Sequence, residues 1–445
     1  MDKIVGKVAA LGVPVIALAG IVGIGYSINA NHKRKKRTGT VSRSTVESTA
    51  VNVLSKSAPE VSSQADAIVV DVVNALRINH LLKELARIDR NNAGAAEEIQ
   101  LFKSEVQKLL VSNRGGIKGI HGFIGETSQV HISNINAFIN GDEPLYILLD
   151  DNSMTDYVRG FEIIQQKACQ AGGTLGLNAI KRHMVKYPEF VEKGGIYQIP
   201  KDMFSKYEHL KNLPEDVAMK LRKEDLRLWK CIHAFTGENP DVIIEPMEVS
   251  YSDIQAGNID NTIKRIENEA QNEFGKQRKL AHAEHTPTFG EFLKVCGISA
   301  AIEGGVNAGI EFVQKLKSGK RLSELTKQDF KDIGVKFAIG SGKGAFRGGV
   351  VYIVTNICRI STTIVSGVVT ALLGICREGY LLFRKGITKE QFAKNSLFVI
   401  LETGASVVGS SLGKRLCKKH HVMGSLIGGV LGSVGAYYFR RTAFA

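Results

Sequence analysis

Asp156-Tyr-Val-Arg-Gly-Phe161-Glu-Ile-Ile-Gln165-Gln-Lys167 is the stretch on which the reading of this chain turns. Aromatic and β-branched residues dominate it, so Tyr157 to Lys167 reads as an extended strand. Side chains alternate across a strand with a period of two. Gln165 and Lys167 therefore share one face, while Glu162 and Gln166 take the other. Leu145 to Leu149 upstream and Ile196 to Ile199 downstream are further apolar runs of strand length. Helical spacing marks Ile120 to Ile139, Leu177 to Tyr187 and Pro214 to Phe235, the last carrying Trp229 on its apolar face. The spacing predicts an α/β domain over residues 113–240.

That domain opens with Asn113-Arg-Gly-Gly-Ile-Lys-Gly-Ile-His121-Gly-Phe-Ile-Gly-Glu126, which starts a helix and places Glu126 on it. An acid on a first helix, Asp156 at the head of a strand, and Gln165-x-Lys167 on extended chain together resemble the PD-(D/E)xK, or restriction-endonuclease-like, nucleases. The resemblance covers roughly Asn113 to Tyr207, about a fifth of the chain, in its Gln-x-Lys form. It implies Asp156 as the principal metal ligand, Gln165 in the place usually held by a second acid, and Glu126 as the helix acid. Lys167 would orient the attacking water or help deprotonate it. The implied metal is Mg²⁺, a hard cation that prefers carboxylate oxygens, offsets charge on a phosphoryl group and acidifies a bound water. Lys181, Arg182 and His183 on the next helix, with Lys186, would then meet nucleic-acid phosphates. The sequence departs from the family pattern in three ways: Gln165 is neutral, no Pro precedes Asp156, and Asp150 and Asp151 are rival ligands. Without the resemblance, Gln165-x-Lys167 is a solvated strand edge, Glu126 a surface acid and the basic cluster a solvated helix face.

Working outward, 445 residues exceed one compact core and predict two or three folded units. The formal charge of +14 favours anionic partners, and nucleic acid and anionic lipid both qualify. The scattered cysteines form no CxxC pair, which argues against a zinc or redox motif and fits reduced thiols facing the cytosol.

At the start, Val8 to Ile28 is uncharged and about long enough to span a bilayer, and Lys33-Arg34-Lys35-Lys36-Arg37 follows it. Residues 1–30 are therefore expected to be a transmembrane anchor with the bulk of the chain on the cytoplasmic side. Residues 31–64 read as a basic flexible linker, and 65–112 as a helical hairpin broken at Asn91-Asn92. Residues 241–287 read as a connector and a polar helix, Ile259 to His285, suited to bridging domains or pairing with a partner.

Residues 288–445 are Gly-rich and repeat one pattern: Thr288-Phe-Gly-Glu291-Phe292, Thr326-Lys-Gln-Asp329-Phe330 and Thr388-Lys-Glu-Gln391-Phe392. Each is a capping box that starts a helix, and each is followed by a glycine, Gly304, Gly342 or Gly404, placed for close helix approach. Ile360 to Cys376 and Val422 to Phe439 are nearly uncharged but slightly short for a full span, and charges such as Glu402 interrupt the other apolar runs. The region is either a Gly-packed bundle associated with membrane or a soluble bundle with small-residue seams. The expected fold class is mainly α with a central α/β domain. The expected function is a membrane-tethered, Mg²⁺-dependent nuclease acting on DNA or RNA. The alternative is a non-enzymatic scaffold or membrane-perturbing protein whose Gly-rich helices form a homo-oligomer.

Overall fold

The structure, a computed structural model, describes residues 43–112, 116–149, 153–169, 173–318, 324–417 and 421–443. The anchor expected over residues 1–30 lies outside the described residues. In chain order the elements are α1 (Arg43–Ser112), α2 (Gly116–Asn140), β1 (Tyr146–Leu148), β2 (Tyr157–Arg159) and β3 (Glu162–Gln166). Then come α3 (Leu177–Lys186), α4 (Glu189–Glu192), β4 (Ile196–Ile199), α5 (Lys201–Lys211), α6 (Glu215–Ala218), α7 (Lys223–Glu238), β5 (Ile243–Pro246) and α8 (Ile259–Glu284). The last part is α9 (Phe289–Lys317), α10 (Lys327–Cys358), α11 (Thr362–Phe383), α12 (Lys389–Leu416) and α13 (His421–Ala443). The chain is mostly helical with one five-stranded mixed sheet. It divides into two compact units, Met1–Asn79 with His285–Ala445, and His80–Glu284.

Helix α1 corrects two expectations. It begins at Arg43, inside the expected linker, and runs 70 residues through Asn91-Asn92 without a break. Ile88, Ala95, Ile99, Phe102 and Val106 are buried along one side of it across the Asn pair. Burying a large apolar side chain is worth about 1.5–3 kcal/mol, against roughly 0.7 kcal/mol for the weak helix propensity of an Asn. Packing wins, and no hairpin forms. At Gly94 a Cβ would lie 2.5 Å from the ring of Phe138 on α2, so the glycine admits that ring.

In the unit containing the C-terminal helices, buried hydroxyls and charges share the interior with an apolar core of Val69, Val70, Val295, Val351, Tyr352, Val365 and Val369. On α12 the buried positions Thr403, Ser406 and Ser410 carry hydroxyls, while Leu397, Ile400, Leu401, Val408 and Leu412 are exposed. On α11, Ser366 and Thr370 are buried and Ile364, Val368 and Leu372 exposed. Arg347 of α10, 2 % exposed, donates from Nε to Asp66 of α1 at 2.6 Å and pairs through Nη2 with Glu303 of α9. Ser63 of α1 meets the Ser366 hydroxyl at 2.8 Å. Helices α11 and α12 are long and apolar enough to cross a membrane, with only 28 % and 22 % of their most apolar windows buried. The candidate spans are thus α11 and α12; Ile360 to Cys376 extends into a longer helix than expected, whereas the apolar part of α13 stays short.

The three capping signals start α9, α10 and α12 as expected. Thr326 with Asp329 and Thr388 with Gln391 form complete capping boxes. Thr288 accepts from the Glu291 amide, but the Glu291 carboxylate serves Arg77 and Tyr352 instead. The packing glycines are mostly others than expected, because Gly342 and Gly404 face open space. A Cβ at Gly409 or Gly413 would meet the carbonyl oxygens of Gly428 or Gly424 at 2.1 or 1.9 Å, so α12 and α13 touch backbone to backbone.

In the unit His80–Glu284 the sheet order is β1-β2-β3-β4-β5. The first three strands are antiparallel, and β4 and β5 add in parallel to β3 and β4. Tyr157 to Lys167 is therefore not one strand but a hairpin that turns at Gly160 (φ +61°). One sheet face places Tyr157, Ile164 and Ile196 with Val130 of α2. The other packs Tyr197 and Ile199 with Leu177, Ile180, Met203, Leu228 and Phe235 of α3, α5 and α7. The expected Pro214–Phe235 helix is split into α6 and α7, and the Trp229 indole donates to the Leu213 carbonyl at 3.0 Å. Helix α8 is also a correction, since Ile259, Ile263, Ile266 and Phe274 lie in one core with Phe102 and Ile124 and are not left for a partner.

His131 of α2 is buried between two acids of α1. Its Nδ1 lies 2.8 Å from Glu98, its Nε2 3.0 Å from Glu105, and its ring stacks on Phe102. Burial depresses the imidazolium, but the hydrogen bonds to Glu98 and Glu105 outweigh that and raise its pKa above 6.5. Burial likewise opposes ionisation of Glu98, and bonds from His131 and Asn134 outweigh it, lowering its pKa below 4.5. The His131 contribution to stability is complete below pH 6.5 and is lost as pH rises through the raised value. The Glu98 contribution is complete above pH 4.5 and is lost as pH falls through the lowered one. The denaturation midpoint of the wild type should therefore exceed that of His131→Gln most between pH 4.5 and 6.5, and the gap should shrink by about pH 9. A gap unchanged with pH would show that the imidazolium is not held there.

Candidate active site

The β2–β3 turn brings the expected residues together. Tyr157 pairs with Ile164, so Asp156 stands opposite Gln165 on the neighbouring strand. Asp156 Oδ2 accepts from the Gln166 backbone N–H at 2.8 Å and from the Gln165 side-chain amide. Gln165 and Gln166 are each 4 % exposed, and β3 is the middle strand of the sheet. The solvated-edge alternative is thereby excluded.

Lys167 continues the ladder past the end of β3, donating its N–H to the Gln198 carbonyl at 2.8 Å. Gly176, which caps α3, is fixed there twice over. Its φ of +84° is the left-handed region, and a Cβ would lie 3.0 Å from the Lys167 carbonyl oxygen. On the opposite face, a Cβ at Gly125 of α2 would lie 2.5 Å from the Gln166 amide nitrogen, which donates to the Gly122 carbonyl at 3.2 Å. Glu126 follows Gly125 on α2, and its charge acts on Lys167.

Electrostatics join the three charges. Burial pushes the Lys167 ammonium below the ordinary lysine range, and the attractions of Asp156 and Glu126 only partly oppose it. Burial likewise pushes the Asp156 carboxyl up, against Lys167, the Gln166 amide and the Gln165 side chain. Glu126, Asp156 and Lys167 thus share one field, and Gln165 anchors the Asp156 carboxylate.

The basic residues expected on α3 separate. Lys181 is tied to Glu238 at 2.8 Å, Lys186 lies over the Tyr187 ring at 4.8 Å, and Arg182 is exposed. His183 turns inward, with Nδ1 2.8 Å from the Tyr197 hydroxyl. Burial, with Lys167 nearby, depresses it to about 4, so it is neutral at pH 7 and offers phosphate no charge.

Of the three expected metal ligands, Asp156 and Glu126 are carboxylates, the ligand type that Mg²⁺ prefers. Asp156 accepts at Oδ2, no donor to Oδ1 occurs among the described residues, and Glu126 carries the second carboxylate whose charge acts on Lys167. Mg²⁺ commonly takes one or two carboxylates and retains waters. Gln165 as placed does not fit, because its NH₂ rather than its oxygen faces the site. No cluster of three or more His, Cys, Asp or Glu suited to a metal occurs among the described residues, and Asp150 and Asp151 lie outside them.

The alternation of residues pointed to Gln165 and Lys167 but not to the polar ladder beneath them. Tyr157 donates to Gln198 at 2.6 Å, Gln198 to Glu245 at 3.2 Å, and Arg159 grips Glu245 at 3.0 and 3.2 Å. The only sequence signal was a polar residue inside an apolar strand, Gln198 in Ile196–Ile199. In comparisons with family models, curated proteins and solved structures, nothing matches this chain.

An amide at position 156 keeps an oxygen for the Gln166 N–H and removes a half-buried charge. Asp156→Asn should therefore leave the melting temperature unchanged or raise it, whereas ordinary polar substitutions inside a fold lower it. A fall of several degrees in differential scanning calorimetry would show that Asp156 is a structural anion.

Proposed function

We propose that the chain is a membrane-embedded, Mg²⁺-dependent nuclease of the PD-(D/E)xK type, with Asp156, Glu126 and Lys167 as its reacting groups. The observation that carries this reading is the placement of Asp156 across from Gln165, with Lys167 and Glu126 in the same field at the end of a central strand. Asp156 and Glu126 would hold the ion, which supplies charge to a phosphoryl oxygen and acidifies water when bound. Lys167, with its lowered pKa, can exchange a proton with water or face the developing phosphoryl charge. Gln165 holds the Asp156 carboxylate in place and is a positioning residue. Arg182 and Lys186, exposed on α3, would meet nucleic-acid phosphates, with Lys181 joining once released from Glu238.

The location is supported by the apolar outer faces of the bundle. Lipid offers polar groups no partners, so a bundle in lipid keeps hydroxyls and charges inside and exposes large apolar side chains, as α11 does with Ile364, Val368 and Leu372 and α12 with Leu397, Ile400, Leu401 and Leu412. The glycine seams are filled within the chain, so a homo-oligomer would form on the outer apolar faces.

Incubation of the full chain with plasmid and with single-stranded RNA in Mg²⁺ should show cleavage. Asp156→Asn and Lys167→Met should each reduce it by about 100-fold or more. Cleavage that survives both changes would assign the activity to a contaminant and remove the site. For the location, a chain without residues 1–42 should stay with phosphatidylcholine vesicles through an alkaline carbonate wash. Release into the wash would return α11 and α12 to a soluble bundle.

A further inference from the structure

A cavity of about 530 Å³ lies where α1, the α10–α11 junction, α12 and α13 meet. We infer that it binds the phosphate of a glycerophospholipid, an inference that rests on the membrane reading of α11 and α12. Two cations line it, Arg359 and Lys414, with Asp71 as the one carboxylate. Asp71 is already engaged, accepting from the Thr362 hydroxyl at 2.7 Å and lying 3.4 Å from Lys414. Arg359 has no partner among the described residues, and it occupies a left-handed turn (φ +55°) between α10 and α11. The balance is one net positive charge, which matches a phosphodiester.

Helix α11 begins at the cavity, and its N-cap, Ser361, makes no side-chain cap. The first amides of a 22-residue helix thus point at the space with the positive end of the helix dipole. Independently, the Thr355 Oγ1 at the cavity is buried without a hydrogen-bond partner among the described residues, and Ser425, 6 % exposed, lines the same space. A buried hydroxyl without a bond is costly unless something fills the space beside it.

The place of the cavity in the fold selects a lipid over free phosphate. Candidate span α11 starts at it and candidate span α12 ends beside it, two residues after Lys414. The ends of spans are the level of the headgroups, where basic pockets between helices take lipid phosphates. Ile68, Val72 and Ile360 give the same cavity an apolar wall for the glycerol esters.

The test uses the full chain in neutral detergent, titrated calorimetrically with dioctanoyl phosphatidylglycerol, dioctanoylglycerol and glycerol 3-phosphate. Dioctanoyl phosphatidylglycerol should bind, and Arg359→Gln with Lys414→Gln should weaken it about tenfold or more. Ser425→Leu, which fills the cavity without touching charge, should weaken it as well. Lys389→Gln, at the other end of α12, should bind as the wild type does, and circular dichroism checks that each variant is helical. Dioctanoylglycerol binding as tightly would mean an apolar surface alone, and glycerol 3-phosphate binding as tightly would mean a soluble phosphate ester. Either result overturns the inference, as does lipid binding untouched by all three cavity substitutions. Vesicle retention, measured in parallel, separates the two readings. Retention without cavity binding sinks this inference alone, and release from vesicles sinks the membrane reading.

Discussion

A carboxylate or guanidinium taken out of water has to be given partners, and that requirement fixes the chain at two points. At Asp156 the partners are the amide of Gln166 and the side chain of Gln165, which exist there only because β2 and β3 form a hairpin. At Arg347 the partners are Asp66 and Glu303, contributed by two other helices. Burying a charge of this kind repays its desolvation only with good geometry, and removing one partner strands the others. Each site is therefore a constraint on register: the hairpin cannot slip by a residue, nor α1 turn within its bundle, without exposing an unpaired charge to an apolar interior.

Much of the central domain was legible because its code is the usual one. Ile196–Ile199 coincides with β4, and Leu177 to Tyr187 with α3 to within a residue. The hairpin was missed because Gly160 sits in a run whose alternation continues on both sides, and a single left-handed glycine leaves little trace in periodicity. The candidate site depends on that turn, since only the hairpin sets Asp156 opposite Gln165 and near Lys167; one continuous strand would hold them at its two ends. What could not be read was the orientation of the Gln165 amide, set by a carboxylate across the ladder. Nor did charge on a helix reveal that His183 faces inward to Tyr197.

The other unit was misread at its start for a physical reason. Ser62, Ser63, Gln64 and Asp66 are among the most buried residues of the molecule, yet hydroxyl and amide groups ordinarily mark a linker. In this bundle hydroxyls and charges share the interior with valines such as Val69, Val365 and Val369, while many Leu and Ile side chains lie on the surface. Apolar spacing alone therefore marks only part of the buried face. Capping signals do not depend on which face is buried, because they act on the backbone of the first turn, and all three start a helix. Glycine placement was recovered only in kind: the seams exist, but at Gly409, Gly413, Gly424 and Gly428 rather than Gly342 and Gly404.

Helix α1 also carries a lesson about the order of events during biosynthesis. Its contacts inside the bundle reach 281 residues ahead to Arg347 and 303 ahead to Ser366. The segment that leaves the ribosome early is thus the one seated late, after α9 to α11 have emerged. Until then Asp66 and Ser63 have no interior to enter. The domain His80–Glu284 draws its sheet and helices from its own span and can fold while the ribosome is still extending the chain. Translation speed across the last third therefore sets how long a polar helix waits, wetted, for its berth.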